Sequence, residues 1–340
     1  MKNAKKIFIG VLCLSIICGC GTIPTTKDGK EAVVTFEKDS NKHQITADDL
    51  YKLLKDKYGF EELLTLMDTY ILESEFEDYR ITAKDYANNY IKSMKNNFKS
   101  DEEFLNAIKQ GTNYQTEDEY TNYIYLSYMQ SHAIEEYAKS LITDKQIEKY
   151  YNDKFKENIE IYHILITPQV TSTMNDDQIS KEESKAKEKA ENLLKEINSS
   201  TDKLATFKKL AKENSEDDNT KDKGGNLGEI NEFTLGNEYD ELITAAYDLK
   251  DGEVASKVVT TELGYHIIFR NATKDKEKLE DVKNDILEKL STEVMASDAN
   301  FAVTTMKYYR KLYNMEIIDS DLEASYRTYI NDLLNATSTN

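Results

Sequence analysis

Two near-copies of one short stretch, Tyr162-His163-Ile164-Leu165-Ile166 and Tyr265-His266-Ile267-Ile268-Phe269, decide how this chain folds. Both are dense in β-branched and aromatic residues, the composition of strands. Alternate side chains of a strand share a face. If the two stretches pair, both imidazoles turn to one common side of the sheet and can meet at its centre. Two satisfied core histidines would produce the same pattern. The chain has only four histidines, so the echo makes this sheet the first place to look for chemistry.

Working outward, Ile159 opens a strand that Pro168 stops, and a mixed unit follows as far as Asn271. Its expected order is a strand at 159–167, helices near 181–198 and 204–214, and a turn at Gly224-Gly225. Then come a short strand near 227–230, a helix near 239–249, and strands at 257–261 and 264–271. The alternating charges of Lys181 to Lys189 read as a solvated helix face. The Asp217 to Lys223 run reads as an exposed loop without the ligand spacing of a calcium site.

On the N-terminal side, one local device recurs between Ile45 and Asp153: a Ser or Thr followed three residues later by an acidic or amide residue, the capping-box sign of a helix start. It appears as Thr46 with Asp49, Thr82 with Asp85, Ser100 with Glu103, Thr116 with Glu119, and Thr143 with Gln146. Apolar residues at helical spacing follow each, and Gly111 reads as a C-terminal stop. Beyond Lys274 the helical period returns, with Leu279, Val282, Ile286 and Leu290 on one face. The expected class is therefore α+β, a mixed domain between two all-helical segments.

A chain of 340 residues with 44 basic against 63 acidic side chains and a net charge of −19 is acidic and long enough for several cores. That charge disfavours nucleic acid, because neutralising phosphates takes clustered Lys and Arg that this sequence lacks. The first twenty residues differ. Lys2, Lys5 and Lys6 precede an apolar stretch from Ile7 to Ile17, which ends in Cys18-Gly19-Cys20. It is about half the ~20 apolar residues that span a bilayer, so it reads as a secretion signal. All three cysteines lie here, which leaves no disulfide chemistry for the rest of the chain. The ending resembles a bacterial lipobox, with cleavage before Cys20 and acylation of its thiol, and Thr22 to Asp39 then reads as a tether.

The series His163-Ile164-Leu165-Ile166, Phe207-x-x-Leu210-Ala211, Ser215-x-Asp217, Gly224-Gly225-Asn226-Leu227-Gly228, Gly252-Glu253-Val254, Val259 and Gly264-Tyr265-His266-Ile267-Ile268 resembles the parvulin family of peptidyl-prolyl isomerases. With a lipobox ahead and helical segments on both sides, the whole chain resembles the PrsA-type extracellular foldase lipoproteins. The resemblance implies a four-stranded antiparallel sheet with surrounding helices and a groove for a proline-containing segment. It places His163 and His266 at the paired-histidine positions and Asp217 at a position that is Cys or Asp in different parvulins. Thr261 falls at a hydroxyl position within reach of the histidines. Leu227 and Leu242, with Tyr239 and Ile230 beside them, fall at the proline pocket. Two positions depart from the family: Leu242 replaces a larger aromatic, and Glu238 stands where a Met is usual, so either Tyr239 or Leu235 fills the gap or the groove binds proline weakly and the chain works chiefly as a chaperone.

The organisation so implied is a signal peptide at 1–19, an acylated Cys20 with its tether at 20–44, and helical segments at 45–156 and 275–335 around a parvulin domain at 157–272. The implied partners are unfolded or partly folded secreted proteins, with a membrane reached through the lipid; a homodimer is left open. No cofactor is called for, since prolyl isomerisation breaks no covalent bond. Rotation about the amide faces a barrier of about 18–20 kcal/mol, and a site lowers it by gripping the proline ring and excluding water from the imide. A second function fits the same residues, in which the chain holds unfolded segments without catalysis and the parvulin fold only binds peptide. The 23 tyrosines, Tyr114, Tyr120, Tyr123, Tyr125 and Tyr128 among them, could serve such a holding surface or ordinary helix packing.

Overall fold

The computed structural model describes Thr25 and residues 31–336; the signal-peptide and Cys20 readings fall outside the described residues. In chain order the elements begin with β1 (Ala32–Lys38), β2 (Asn41–Thr46), α1 (Ala47–Leu54), α2 (Phe60–Glu75), α3 (Arg80–Lys95), α4 (Asp101–Gly111), α5 (Glu117–Ser140) and α6 (Asp144–Asp153). The mixed segment contains β3 (Ile159–Ile166), α7 (Asp176–Ser199), α8 (Lys203–Asn214), β4 (Asn226–Ile230), α9 (Asp240–Tyr247), β5 (Val259–Thr261) and β6 (Gly264–Thr273). Helices α10 (Leu279–Ser297), α11 (Phe301–Leu312) and α12 (Ser320–Ala336) follow. The chain forms two units, one from residues up to 133 together with those from 302 onward, the other from 134–301.

In the first unit, residues 32–46 form an antiparallel hairpin where a tether was expected. Val33, Val34 and Thr35 favour extended backbone, and Asp39 and Ser40 turn the chain with φ of 51° and 69°, the positive values a tight hairpin turn demands. Thr46 then caps α1 with a reciprocal bond to Asp49, and the bonds between Thr116 and Glu119 do the same for α5. The expected cap at Thr82 is not one: the chain passes from a 3₁₀ turn at Glu77–Tyr79 into α3 with Tyr79 already near helical dihedrals, so Thr82 lies inside the helix. The N-terminal and C-terminal segments meet within this unit. Asp68 of α2 and Arg310 of α11 are buried and joined by two bonds, Nε to Oδ1 at 2.9 Å and Nη2 to Oδ2 at 2.7 Å. Removing one partner of such a pair would strand a charge in the core.

The second unit is built on a four-stranded antiparallel sheet in the order β4-β3-β6-β5. Its two central strands alternate where 161–166 pair with 265–270. Tyr162, Ile164, Ile166, Ile267 and Phe269 form one face and pack against α7 and α8 through Ala190, Leu194, Ile197, Phe207 and Leu210. Ile159, Ile161, Ile268 and Val259 form the other and pack against Leu242, Ile243 and Ala246 of α9. Helix α7 starts earlier than the charge pattern indicates, because Asn175 and Gln178 close a capping box ahead of it. Beyond the sheet, α6 and α10 pack together through Ile147, Tyr150, Phe155, Val282 and Ile286, with Phe233 against them.

Candidate active site

Register carries the two histidines together. His163 of β3 lies opposite Ile268 and His266 of β6 opposite Leu165, so both rings project from the face that α9 covers. They are fully buried, stacked within 17° of parallel, with Nδ1 to Nδ1 at 3.1 Å. At one end, Thr261 Oγ1 lies 2.9 Å from His266 Nε2. At the other, His163 Nε2 lies 2.8 Å from Asp217 Oδ2 and 3.0 Å from Thr220 Oγ1. The four expected polar residues therefore form one hydrogen-bonded chain, Thr261 to His266 to His163 to Asp217.

Local backbone bonds place Asp217 there. The N–H of Leu165 donates to Ser215 Oγ at 3.2 Å, and the N–H of Glu216 donates to the Leu165 carbonyl at 2.8 Å. These zip residues 215–216 onto the end of β3, and the next side chain falls beneath His163. The His163 amide in turn donates to the carbonyl of Gly225 at 2.8 Å. Gly225 has φ +83°, and an added Cβ would lie 2.2 Å from the His163 carbonyl oxygen. The double glycine thus exists so that the turn can touch the histidine backbone.

Counting donors and acceptors fixes the direction at the acid end of the chain. Leu263 N–H donates to Thr261 Oγ1 at 3.1 Å, and the Thr261 oxygen keeps both its proton and a second lone pair for His266 Nε2. Burial, with His163 beside it, pushes the His266 ring down to about 3, which keeps it neutral. The ionised Asp217 carboxylate can only accept, so His163 Nε2 carries a proton and donates to it. The His163 hydrogen bond, aided by Thr220 and the Asn219 amide, holds the Asp217 carboxyl well below the usual carboxylate range. The chain ends on one fixed negative charge.

The expected pocket residues all belong to the α9 face, at different depths. Ile230 and Leu242 are fully buried in its core, whereas Leu227, Leu235 and Tyr239 pack at its margin and remain partly exposed. The Tyr239 ring meets the His266 ring edge-on at 6.2 Å. Burial, and then the charges of Asp217 and Glu238, raise the Tyr239 hydroxyl above its ordinary value. Thr220 is the polar residue that the sequence reading passed over. A hydroxyl three residues after a turn acid, Asp217-x-x-Thr220, was the available signal.

Residues 163–272 match the family described as the PPIC-type PPIase domain. Foldase protein PrsA 2 of Bacillus cereus is 29% identical over 335 residues, covering 95% of this chain and 97% of that protein. Foldase protein PrsA of Clostridium botulinum is 28% identical, covering 86% of this chain and 92% of that one. Among solved structures, foldase protein PrsA from Streptococcus pneumoniae aligns over 86% of this chain and 98% of its own at 19% identity with a TM-score of 0.58, a likeness of fold.

Proposed function

We propose, on the premise that this chain belongs with the PrsA-type foldases and carries a parvulin-type peptidyl-prolyl isomerase domain, that it speeds cis/trans isomerisation of X-Pro bonds in secreted proteins outside the cytoplasm while anchored to a membrane through Cys20. The continuous chain Thr261–His266–His163–Asp217 is the observation that carries the isomerase reading. In this reading the apolar margin of Leu227, Leu235 and Tyr239 grips the proline ring, with Ile230 and Leu242 packed beneath. An imide pressed into an apolar surface loses water, which favours the twisted amide because that state has shed its dipolar resonance form. His163 and His266 orient the polar edge of the groove, and Asp217 holds their tautomers. Asp217 is not a nucleophile here: Oδ1 accepts from the Asn219 amide, and Oδ2 already accepts from His163 and Thr220.

Uncatalysed X-Pro bonds turn over in tens of seconds, slow enough to limit folding, and this sets the test. Exchange NMR on Ala-Leu-Pro-Phe and Ala-Glu-Pro-Phe peptides with the full chain should show catalysed cis/trans exchange at substoichiometric protein. Exchange at the background rate would sink the isomerase reading. A holding function would then stand, favoured by the apolar side chains that the first unit leaves in water: Leu53, Leu66, Tyr70 and Ile81 are each 65–73% exposed. The anchor is tested separately, since palmitate label that persists in Cys20→Ala contradicts it.

A further inference from the structure

Asp217 does not meet His163 alone. The turn that carries it is closed by the amides of Thr220 and Lys221, which both donate to the Asp217 carbonyl, at 3.3 and 2.9 Å. This curls the chain so that Thr220 comes back under the same histidine. Its carbonyl accepts from the Gly225 amide at 2.9 Å, tying it to the glycine that supports the His163 backbone. The side chain is buried, donates its hydroxyl proton to Asp217 Oδ2, and presents Oγ1 3.0 Å from His163 Nε2. Three atoms, the imidazole nitrogen, the carboxylate oxygen and the hydroxyl oxygen, therefore form a closed triangle.

From this triangle we infer that Thr220 is a positioning residue for the isomerase site: its hydroxyl locks the Asp217 carboxylate in the orientation that holds the proton on His163 Nε2. The inference rests on the isomerase reading above for its consequence in rate, and on the geometry alone for its effect on Asp217. Each Asp217 oxygen has a fixed donor, Asn219 N–H on Oδ1 and Thr220 O–H on Oδ2, so the carboxylate cannot rotate without losing one of them. With the carboxylate held, Oδ2 is always presented to His163. The His163 Nε2–H then has one fixed acceptor, which orients the imidazole against His266. The Thr220 hydroxyl bonds to Asp217 and lies against His163, so its influence reaches the groove through this chain.

Variants at position 220 separate this role from plain packing. The titratable groups that face Asp217 are His163 from β3, His266 from β6 and Tyr239 from the turn before α9. All three are unchanged in Thr220→Val and Thr220→Ser, so a shift in Asp217 reports on the hydroxyl. Carbon-13 NMR of the Asp217 carboxyl in the full chain should show its titration midpoint about one pH unit higher in Thr220→Val, the loss of one hydrogen bond to the charged form. Thr220→Ser should restore it. The kcat/KM for peptide isomerisation should fall about tenfold in Thr220→Val and recover in Thr220→Ser. Thr220→Ala, which removes the hydroxyl without an added methyl against His163, is read the same way if the valine does not fold. An unchanged Asp217 midpoint without the hydroxyl, or a serine variant as slow as the valine, overturns the inference. A wild type without isomerase rate sinks the reading of the site instead and leaves the titration to decide the role of Thr220.

Discussion

Gly225→Ala is expected to destabilise the unit of residues 134–301 by about 3 kcal/mol or more, enough to remove much of the stability of an ordinary domain. Two costs combine. At φ +83° an alanine pays about 1 kcal/mol for a left-handed conformation that glycine adopts freely. Its Cβ would also lie 2.2 Å from the His163 carbonyl oxygen and 3.2 Å from Ala211 Cβ, and backbone cannot move aside as a flexible side chain can. Relief requires parting the 220–225 turn from β3, which breaks the bond from His163 N–H to Gly225 O. Gly252→Ala is the matched control, because Gly252 has φ +80° with nothing within 4 Å of an added Cβ, and its cost should be near the conformational 1 kcal/mol alone. Denaturant unfolding of both variants makes the comparison. Equal losses would mean that the close approach at His163 is not what the glycine is for.

His266→Ala is expected to lower both stability and rate. The imidazole is fully buried, and its removal leaves a cavity and strips His163 Nδ1 and the Thr261 hydroxyl of their partner. Cavity and orphaned groups together cost about 3 kcal/mol, or roughly 6–12 °C in Tm for a unit of this size. The rate should fall about ten- to a hundredfold, as expected for losing an orienting group. A slower enzyme of unchanged Tm would contradict the role given to His266.

The loss also carries a pH signature. Because burial lowers the folded pKa of His266 to about 3, the unfolded chain binds a proton that the folded chain refuses in the window between that value and about 6.5. Stability from this residue is therefore full above the window and declines as pH falls through it, by about 1.4 kcal/mol per unit. His266→Ala lacks that slope, so the gap in Tm between it and the wild type should narrow as the solution is made acid.

The paired histidines were legible in the sequence because alternation in a strand is a local rule. One glance at Tyr162-His163-Ile164 and Tyr265-His266-Ile267 puts both rings on one face, and the observed register does so. The caps at Thr46, Thr116 and Thr143 were legible for the same reason, since donor and acceptor lie three residues apart. Thr220 was harder. Its meeting with His163 depends on the 217–221 turn curling back across 57 residues of separation, and no periodicity announces that. Leu242 and Ile230 could be assigned to the proline pocket by position, yet how deeply they lie under Leu227 and Tyr239 depends on how α9 settles on the sheet. The hairpin at 32–46 was hidden by its polar residues: Glu37, Lys38, Asp39 and Lys42 read as tether, while pairing with a neighbour strand is a property of two segments at once.

The polar chain ends on one ionised acid, and we expect the Thr261 hydroxyl to donate at its other end, an arrangement that the protons of the two imidazoles report directly. Nitrogen-15 NMR of the histidine side chains near neutral pH should find His266 protonated on Nδ1 alone and His163 on Nε2 alone. A His163 ring carrying protons on both nitrogens, with His266 protonated on Nε2, would reverse the Thr261–His266 and His266–His163 bonds and contradict it.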